Sequence, residues 1–307
     1  MTPAPAGRPA PAHGISAWTY GFDDARVRQI LDHNLTAAPA RRFRYLFPYA
    51  GSVELGREGR FTTSWKAEVA ARYAAALPPD ILLLPIFDGR QDEKQFNGWT
   101  PVQYEALARD VAAKVLADPH AAGIQVDIEP FHDDHLPFYE ALGALLRAQG
   151  RLMTGFIAPT RPEATLRRMY AACDIVVLSG YDFEQPNPAA YGAALAHALE
   201  RAHRIAVETA GHTLVGVPAA GSWAEHEYTG IVEGGTCRRQ ETGFTQPDWL
   251  RAALGAVALR EQDDDFLGMA LWVLSGRTEG APRECRLGDQ PDYIGPECWR
   301  LLQTAAP

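Results

Sequence analysis

Residues 123–130 read GIQVDIEP, an apolar run into which one amide and two carboxylates are set at every second position. Side chains alternate faces along an extended chain. Gln125, Asp127 and Glu129 therefore share one face of a strand, and Ile124, Val126 and Ile128 share the other. The polar groups form a row with about 6.6 Å between successive Cα atoms. A carboxylate buried without a partner costs several kcal/mol or shifts its pKa sharply. Two carboxylates held close in apolar surroundings divide their roles, one staying ionised and the other keeping its proton. By that logic Glu129, beside ionised Asp127, is expected to have a raised pKa and to serve as a proton donor. Two plainer readings compete: a solvent-facing amphipathic strand, and a buried structural network with Arg44 or Arg161.

The elements that would position this row follow one rhythm. Strand-like runs at 14–18, 43–49, 80–87, 123–130, 152–159, 174–183, 213–219 and 267–274 alternate with helical segments. The helices are placed near 23–34, 64–76, 101–117, 136–149, 162–172, 188–209, 247–262 and 296–304. The third opens TPVQ, with Thr100 as N-cap and Pro101 in the first helical position. Strands this apolar, joined by helices, indicate a parallel sheet covered by helices. Eight units in about 290 residues predict an α/β fold of the (β/α)8 TIM-barrel type rather than an open doubly wound sheet. A dinucleotide fold would want a glycine-rich turn after the first strand, and AWTYGFDDAR offers none. Residues 1–13, rich in Pro and Ala, read as a disordered lead, and 14–307 as a single barrel domain.

In such a barrel the reactive face lies at the C-terminal ends of the strands. Asp127 and Glu129 close the fourth strand, and Tyr181 and Asp182 the sixth. Trp18 and Tyr20 close the first, Phe87 and Asp88 the third, and Trp272 comes late in the eighth. Directly after the fourth strand, FHDDH offers His132, Asp133, Asp134 and His135 as metal-ligating types. Barrel metal sites draw ligands from several strands, and the later strand ends carry no histidine, only His212 before the seventh. Asp133 and Asp134 are therefore read as acids at a helix N-terminus, favoured by its dipole, and no metal is assigned. A metal-dependent barrel hydrolase stays as the lesser enzyme alternative. The run EQDDDF at 261–266 reads as a solvated helix end.

Of the 307 residues 47% are hydrophobic and 22% charged, which is the ordinary globular range. The net charge of −9 argues against nucleic acid and anionic membranes as partners, since both need a basic surface. No stretch of 18 apolar residues is present, and the first residues lack the apolar core of a secretory signal, so the cytoplasm is the default location. The four cysteines show no zinc spacing. Cys173 reads as a small core residue. Cys285 and Cys298, thirteen apart, would bridge only in an oxidising compartment. Oligomeric state is left open.

GIQVDIEP resembles the strand-four signature of glycoside hydrolase family 18, the chitinases and endo-N-acetylglucosaminidases, which reads Asp-x-x-Asp-x-Asp-x-Glu with Gly usually second. Its first aspartate falls on Ala122, its glycine on Gly123, its second aspartate on Gln125, its third on Asp127 and its glutamate on Glu129. LSGYDF resembles the family's strand-six Met-x-Tyr-Asp, giving Tyr181 and Asp182 with Ser179 in place of the methionine. GMALWVL is similar to strand eight, whose tryptophan floors the sugar site, here Trp272. VGVPAAGSW is similar to the strand-seven Gly-x-Pro-x-Tyr-Gly segment, with Ala220 where the tyrosine stands. The SVELGREGRF hairpin after strand two loosely resembles the spore-cortex, peptidoglycan-directed branch. The strand-three SxGG motif is replaced by PIFDGR.

The resemblance implies a retaining glycosidase acting on N-acetylhexosamine-containing glycans, an oligo- or polysaccharide substrate and no cofactor. In this mechanism the substrate's own 2-acetamido oxygen attacks C1. Glu129 would be the general acid. Asp127 would hold the acetamido N–H, Tyr181 its carbonyl, and Asp182 would support them. Trp272, with Trp18, Tyr20, Trp223 and Gln125, would bind sugar; Gln125 would hydrogen-bond Asp127 without sharing its proton. Losing the first two aspartates bears on rate and pH optimum more than on reaction type. It also leaves a non-catalytic carbohydrate-binding barrel as the alternative from another class.

Overall fold

A computed structural model describes residues 9–56, 60–90, 99–181, 183, 185–219, 232–233, 236–237, 244–275 and 294–304. The first half runs β1 (Ile15–Thr19), α1 (Asp24–Thr36), β2 (Phe43–Leu55), β3 (Phe61–Trp65), α2 (Ala67–Ala76), β4 (Leu82–Leu83), β5 (Ile86–Arg90) and α3 (Pro101–Ala117). It continues with β6 (Gly123–Glu129), α4 (Leu136–Ala148), β7 (Leu152–Ile157), α5 (Glu163–Ala172), β8 (Ile175–Leu178) and α6 (Pro188–Thr209). The last elements are β9 (Thr213–Pro218), β10 (Val232–Glu233), β11 (Thr236–Cys237), α7 (Gln246–Val257), β12 (Phe266–Ser275) and α8 (Pro296–Thr304).

The parallel strands run β1-β12-β9-β8-β7-β6-β5-β2, and β1 pairs with β2 to close the ring. The short β4 also pairs with β2 and leads into β5, so the two form one stave. The result is the expected (β/α)8 barrel. Alternation along the staves divides the core in two. Ile124, Val126 and Ile128 join the layer between sheet and helices. Trp18, Tyr45, Phe47, Ile86, Phe156 and Val177 fill the barrel interior. The lower end is closed partly by the approach to β1, where the Ala12 backbone N–H donates to Tyr45 Oη at 2.7 Å. At α3 the Thr100 cap stands as expected, and its backbone N–H donates to Gln103 Oε1 at 2.6 Å.

The largest departures from the expected boundaries are three. After strand two, β2 runs on to Leu55 and pairs antiparallel with β3, because Val53 and Leu55 alternate into the core. Strand six stops at Leu178 rather than reaching residue 183. There the chain turns, with Gly180 N donating to Leu178 O and Tyr191 Oη of α6 pinning Gly180 O at 2.7 Å. Helix α7 ends at Val257, five residues short of its expected end. Cys173 and Cys298 are free, buried thiols, each pushed up to about 12 by burial. Cys285 lies outside the described residues. No described helix is long and apolar enough to cross a membrane.

Candidate active site

Strand β6 carries the polar row up the inside of the barrel. Gly123 at its base lets the strand close on β7: a Cβ there would lie 1.9 Å from Leu152 O. Gln125 is fully buried, Asp127 is 8% exposed, and Glu129 stands exposed at the rim. The row thus climbs from dry interior to open mouth within three alternate residues, and the solvent-facing reading of the strand fails. The arginine network fails as well. Arg44 pairs with Asp80 at 2.8 Å, and Arg161 pairs with neither carboxylate.

The structure corrects the expectation for Gln125. Its Oε1 accepts from Thr154 Oγ1, its register partner on β7, and its buried Nε2 has no partner among the described residues. The amide is thus turned toward β7 rather than to Asp127, and at zero exposure it offers nothing to a ligand. Asp127 instead lies directly across from Asp88 on β5. Asp88 Oδ1 accepts from Tyr49 Oη at 3.4 Å, so a second carboxylate stands beside Asp127 on the neighbouring strand.

Aromatic rings wall the other side of the mouth. Tyr181 is buried and stacks on Trp272 at 5.0 Å and on Phe156 at 6.1 Å between centroids. Trp18 is a second correction. Expected as a sugar platform, it is fully buried and stands edge-on beneath Trp272, Tyr181 and Phe156. Trp18 points into the barrel interior and these rings cover it, so it supports the wall and presents no face. Tyr20 is half-buried and packs edge-on to Trp272 at 5.6 Å, with Tyr49 at 5.9 Å on its other side. Trp272 itself is half-buried. Asp182, Ala220 and Trp223 lie outside the described residues.

A cleft of about 220 Å³ opens beside this wall, over the ends of β6, β7 and β8. Glu129, Phe131, Phe156, Arg161, Ser179 and Phe183 line it. Sequence reasoning assigned no site role to Phe156, Tyr49 or the cleft placement of Arg161. The first two were signalled by alternation: Tyr45, Phe47 and Tyr49 fall on one face of β2, and Phe156 falls two residues after Thr154 on the inner face of β7. Arg161 carried no such signal, because a loop has no period.

The FHDDH segment forms a 3-10 turn at Asp133–His135 that leads into α4. His135 is fully buried, its Nδ1 accepts from His132 N at 3.2 Å, and burial pulls its pKa down to about 3. Asp133 accepts from Thr165 Oγ1 of α5 at 2.8 Å. These residues do not converge on a common point. Among the described residues the one three-ligand group is His203, Asp263 and Asp265, at the opposite end of the barrel, where Arg260 already lies 3.1 Å from Asp263.

No protein-family model matches this chain, and no curated protein matches it. Solved structures do. A chitinase from Chromobacterium violaceum ATCC 12472 superposes with a TM-score of 0.57 at 14% identity, over 96% of this chain and 99% of that one. A class V chitinase from Pseudomonas fluorescens Pf-5 gives a TM-score of 0.56 at 14% identity, with the same coverage. A GH113 β-1,4-mannanase gives 0.57 at 13% identity, over 98% of this chain and 99% of that one. At such identities the likeness shows a shared fold, and that fold is the (β/α)8 barrel.

Proposed function

We propose that the chain is a glycosidase that cleaves N-acetylhexosamine-containing glycans with retention, Glu129 serving as general acid. The observation that carries this reading is the graded row on β6: a buried carboxylate, Asp127, beneath an exposed one, Glu129, which lines a cleft together with Phe131, Phe156 and Phe183. The neighbours in fold, named as chitinases and a mannanase, lend support.

In the reaction Glu129 gives its proton to the glycosidic oxygen as the C1–O bond breaks. The substrate's acetamido oxygen closes on C1 from the opposite side. Asp127 accepts the acetamido N–H and balances the developing positive charge, and Tyr181 Oη donates to the acetamido carbonyl. Asp182 would support that arrangement. Water then opens the intermediate while Glu129 takes a proton back. Tyr20 and the half-buried Trp272 offer aromatic surface to the sugar. Asp88, across from Asp127, supplies a neighbouring charge that Ala122 and Gln125 do not.

One observation favours a second reading, a carbohydrate-binding barrel without turnover: the Gln125 amide oxygen is bonded to Thr154, so position 125 supplies neither a carboxylate nor a hydrogen bond to Asp127. Release of reporter from aryl glycosides of N-acetylglucosamine and its short oligomers separates the two. Turnover that survives EDTA and falls about 10³-fold or more in Glu129→Gln supports the acid role. Oligosaccharide binding by both proteins without turnover supports the binding barrel. Activity abolished by EDTA points to metal-dependent hydrolysis.

A further inference from the structure

We infer that the cleft beside Glu129 takes a carboxylated sugar, and that Arg161 is the group that reads the carboxylate. This rests on the glycosidase reading of the site and adds the class of glycan.

The chain carries nine more acidic than basic residues, and most of the described arginines, among them Arg44, Arg168 and Arg260, face a carboxylate. Arg161 does not. Among the described residues no carboxylate lies within 4 Å of its guanidinium, although it lines a cleft with Glu129 on the rim. Its one side-chain hydrogen bond is donated to the Phe131 carbonyl oxygen, and its guanidinium lies over the Phe131 ring, 5.3 Å from the centroid. A guanidinium has five N–H donors, so that single bond leaves the rest of the fork uncommitted. Planar, paired donors of this kind match the two oxygens of a carboxylate.

The loop that carries Arg161 is also held from below. Arg201 of α6 donates to the carbonyl oxygens of Pro159 and Arg161, both at 2.6 Å, and Arg161 N closes a turn onto Ala158 O. The side chain is thus fixed at both ends, its backbone by Arg201 and its head by Phe131. A solvated surface arginine needs neither support. A group held this way loses little conformational freedom on binding, which is what selectivity for a charged substituent requires. A neutral glycan would leave the cation without a counter-charge. A carboxylate entering the cleft at Glu129, the residue above Asp127 in the row, would be repelled with no cation present. Arg161 removes that conflict.

The carboxylate has two chemical sources, a lactyl ether on an amino sugar or the C6 carboxyl of a uronic acid. The test compares kcat/KM for three tetrasaccharides: chitotetraose, an alternating N-acetylglucosamine/N-acetylmuramic acid tetramer, and an alternating N-acetylglucosamine/glucuronic acid tetramer. It uses wild type, Arg161→Gln and Arg161→Lys. One of the acidic tetramers is expected to be preferred over the neutral one by about tenfold or more, and that preference identifies the source. Arg161→Gln should reduce the acidic-to-neutral ratio about tenfold, Arg161→Lys should reduce it less, and salt should weaken it in the wild type. Cleavage of chitotetraose as fast as both acidic tetramers would overturn the inference and leave the glycosidase standing. Equal losses on all three substrates in Arg161→Gln would mark a structural residue and overturn it too. No cleavage and no binding of any tetramer would overturn both readings together.

Discussion

Replacing Gly216 by alanine would press on Tyr181 without altering any group proposed to touch substrate. Gly216 lies on β9, and a Cβ built there falls 2.8 Å from Tyr181 Cε1 and 3.0 Å from Cδ1. Ordinary contact begins near 3.4 Å, so the ring must retreat by about 0.6 Å. It has little room to do so. Trp272 and Phe156 stack against its faces at 5.0 and 6.1 Å, and Trp18 meets it edge-on at 6.1 Å. Overpacking of this kind costs about 1–3 kcal/mol. For a domain of this size that corresponds to a fall in Tm of roughly 2–6 °C. The catalytic effect should be larger in proportion, since a misplacement of about 1 Å costs about 10²-fold in rate. A displacement of just over half that predicts a loss of roughly tenfold in kcat. The assay is aryl-glycoside turnover beside a thermal melt, with Gly255→Ala as control. Gly255 sits in α7 with nothing within 4 Å of its would-be Cβ, so that variant should keep wild-type turnover and gain roughly 0.5–1 kcal/mol. A lowered Tm with wild-type kcat in Gly216→Ala would show that the placement of Tyr181 does not matter to the reaction. An unchanged Tm would refute the packing argument itself.

Two further outcomes follow from the same structure. Gly123→Ala sets a Cβ 1.9 Å from Leu152 O and 2.6 Å from Leu152 C, backbone atoms that no rotamer change can move. Urea unfolding should show a loss of roughly 2–4 kcal/mol from overpacking and weakened β6–β7 pairing, and an unchanged midpoint would contradict it. His135, buried and held at about 3 against its ordinary 6.5, stays neutral in the fold while the unfolded chain takes up a proton below pH 6.5. Between pH 6.5 and 3 the unfolded state therefore binds more protons, and stability falls as pH is lowered, by up to about 1.4 kcal/mol per unit from this group. Unfolding free energies of His135→Asn measured from pH 4 to 6 should show a slope shallower by about that amount. Equal slopes would mean that His135 titrates in the fold.

The eight-stave rhythm was legible in the chain because strands buried on both faces read as continuous apolar runs, and helices declare their starts through residues such as Thr100 and Pro101. The shared face of Gln125, Asp127 and Glu129 was legible for the same kind of reason, since the period of two is a property of the extended backbone and needs no neighbours. What each residue of that row could do was not. Whether Trp18 offers a face or fills the interior depends on the rings that other segments bring against it, Phe156, Tyr181 and Trp272. Where the Gln125 amide points depends on Thr154, twenty-nine residues on, across a strand pairing. The end of strand six at Leu178 depends on Tyr191 reaching back from α6 to hold Gly180. That Asp88 stands beside Asp127 follows from the β5–β6 register, and that Arg161 faces a cleft follows from Arg201 holding its loop. Local periodicity is written along the chain, whereas burial, register and the facing of loops arise only when distant segments meet, and those are what turn a row of carboxylates into a site.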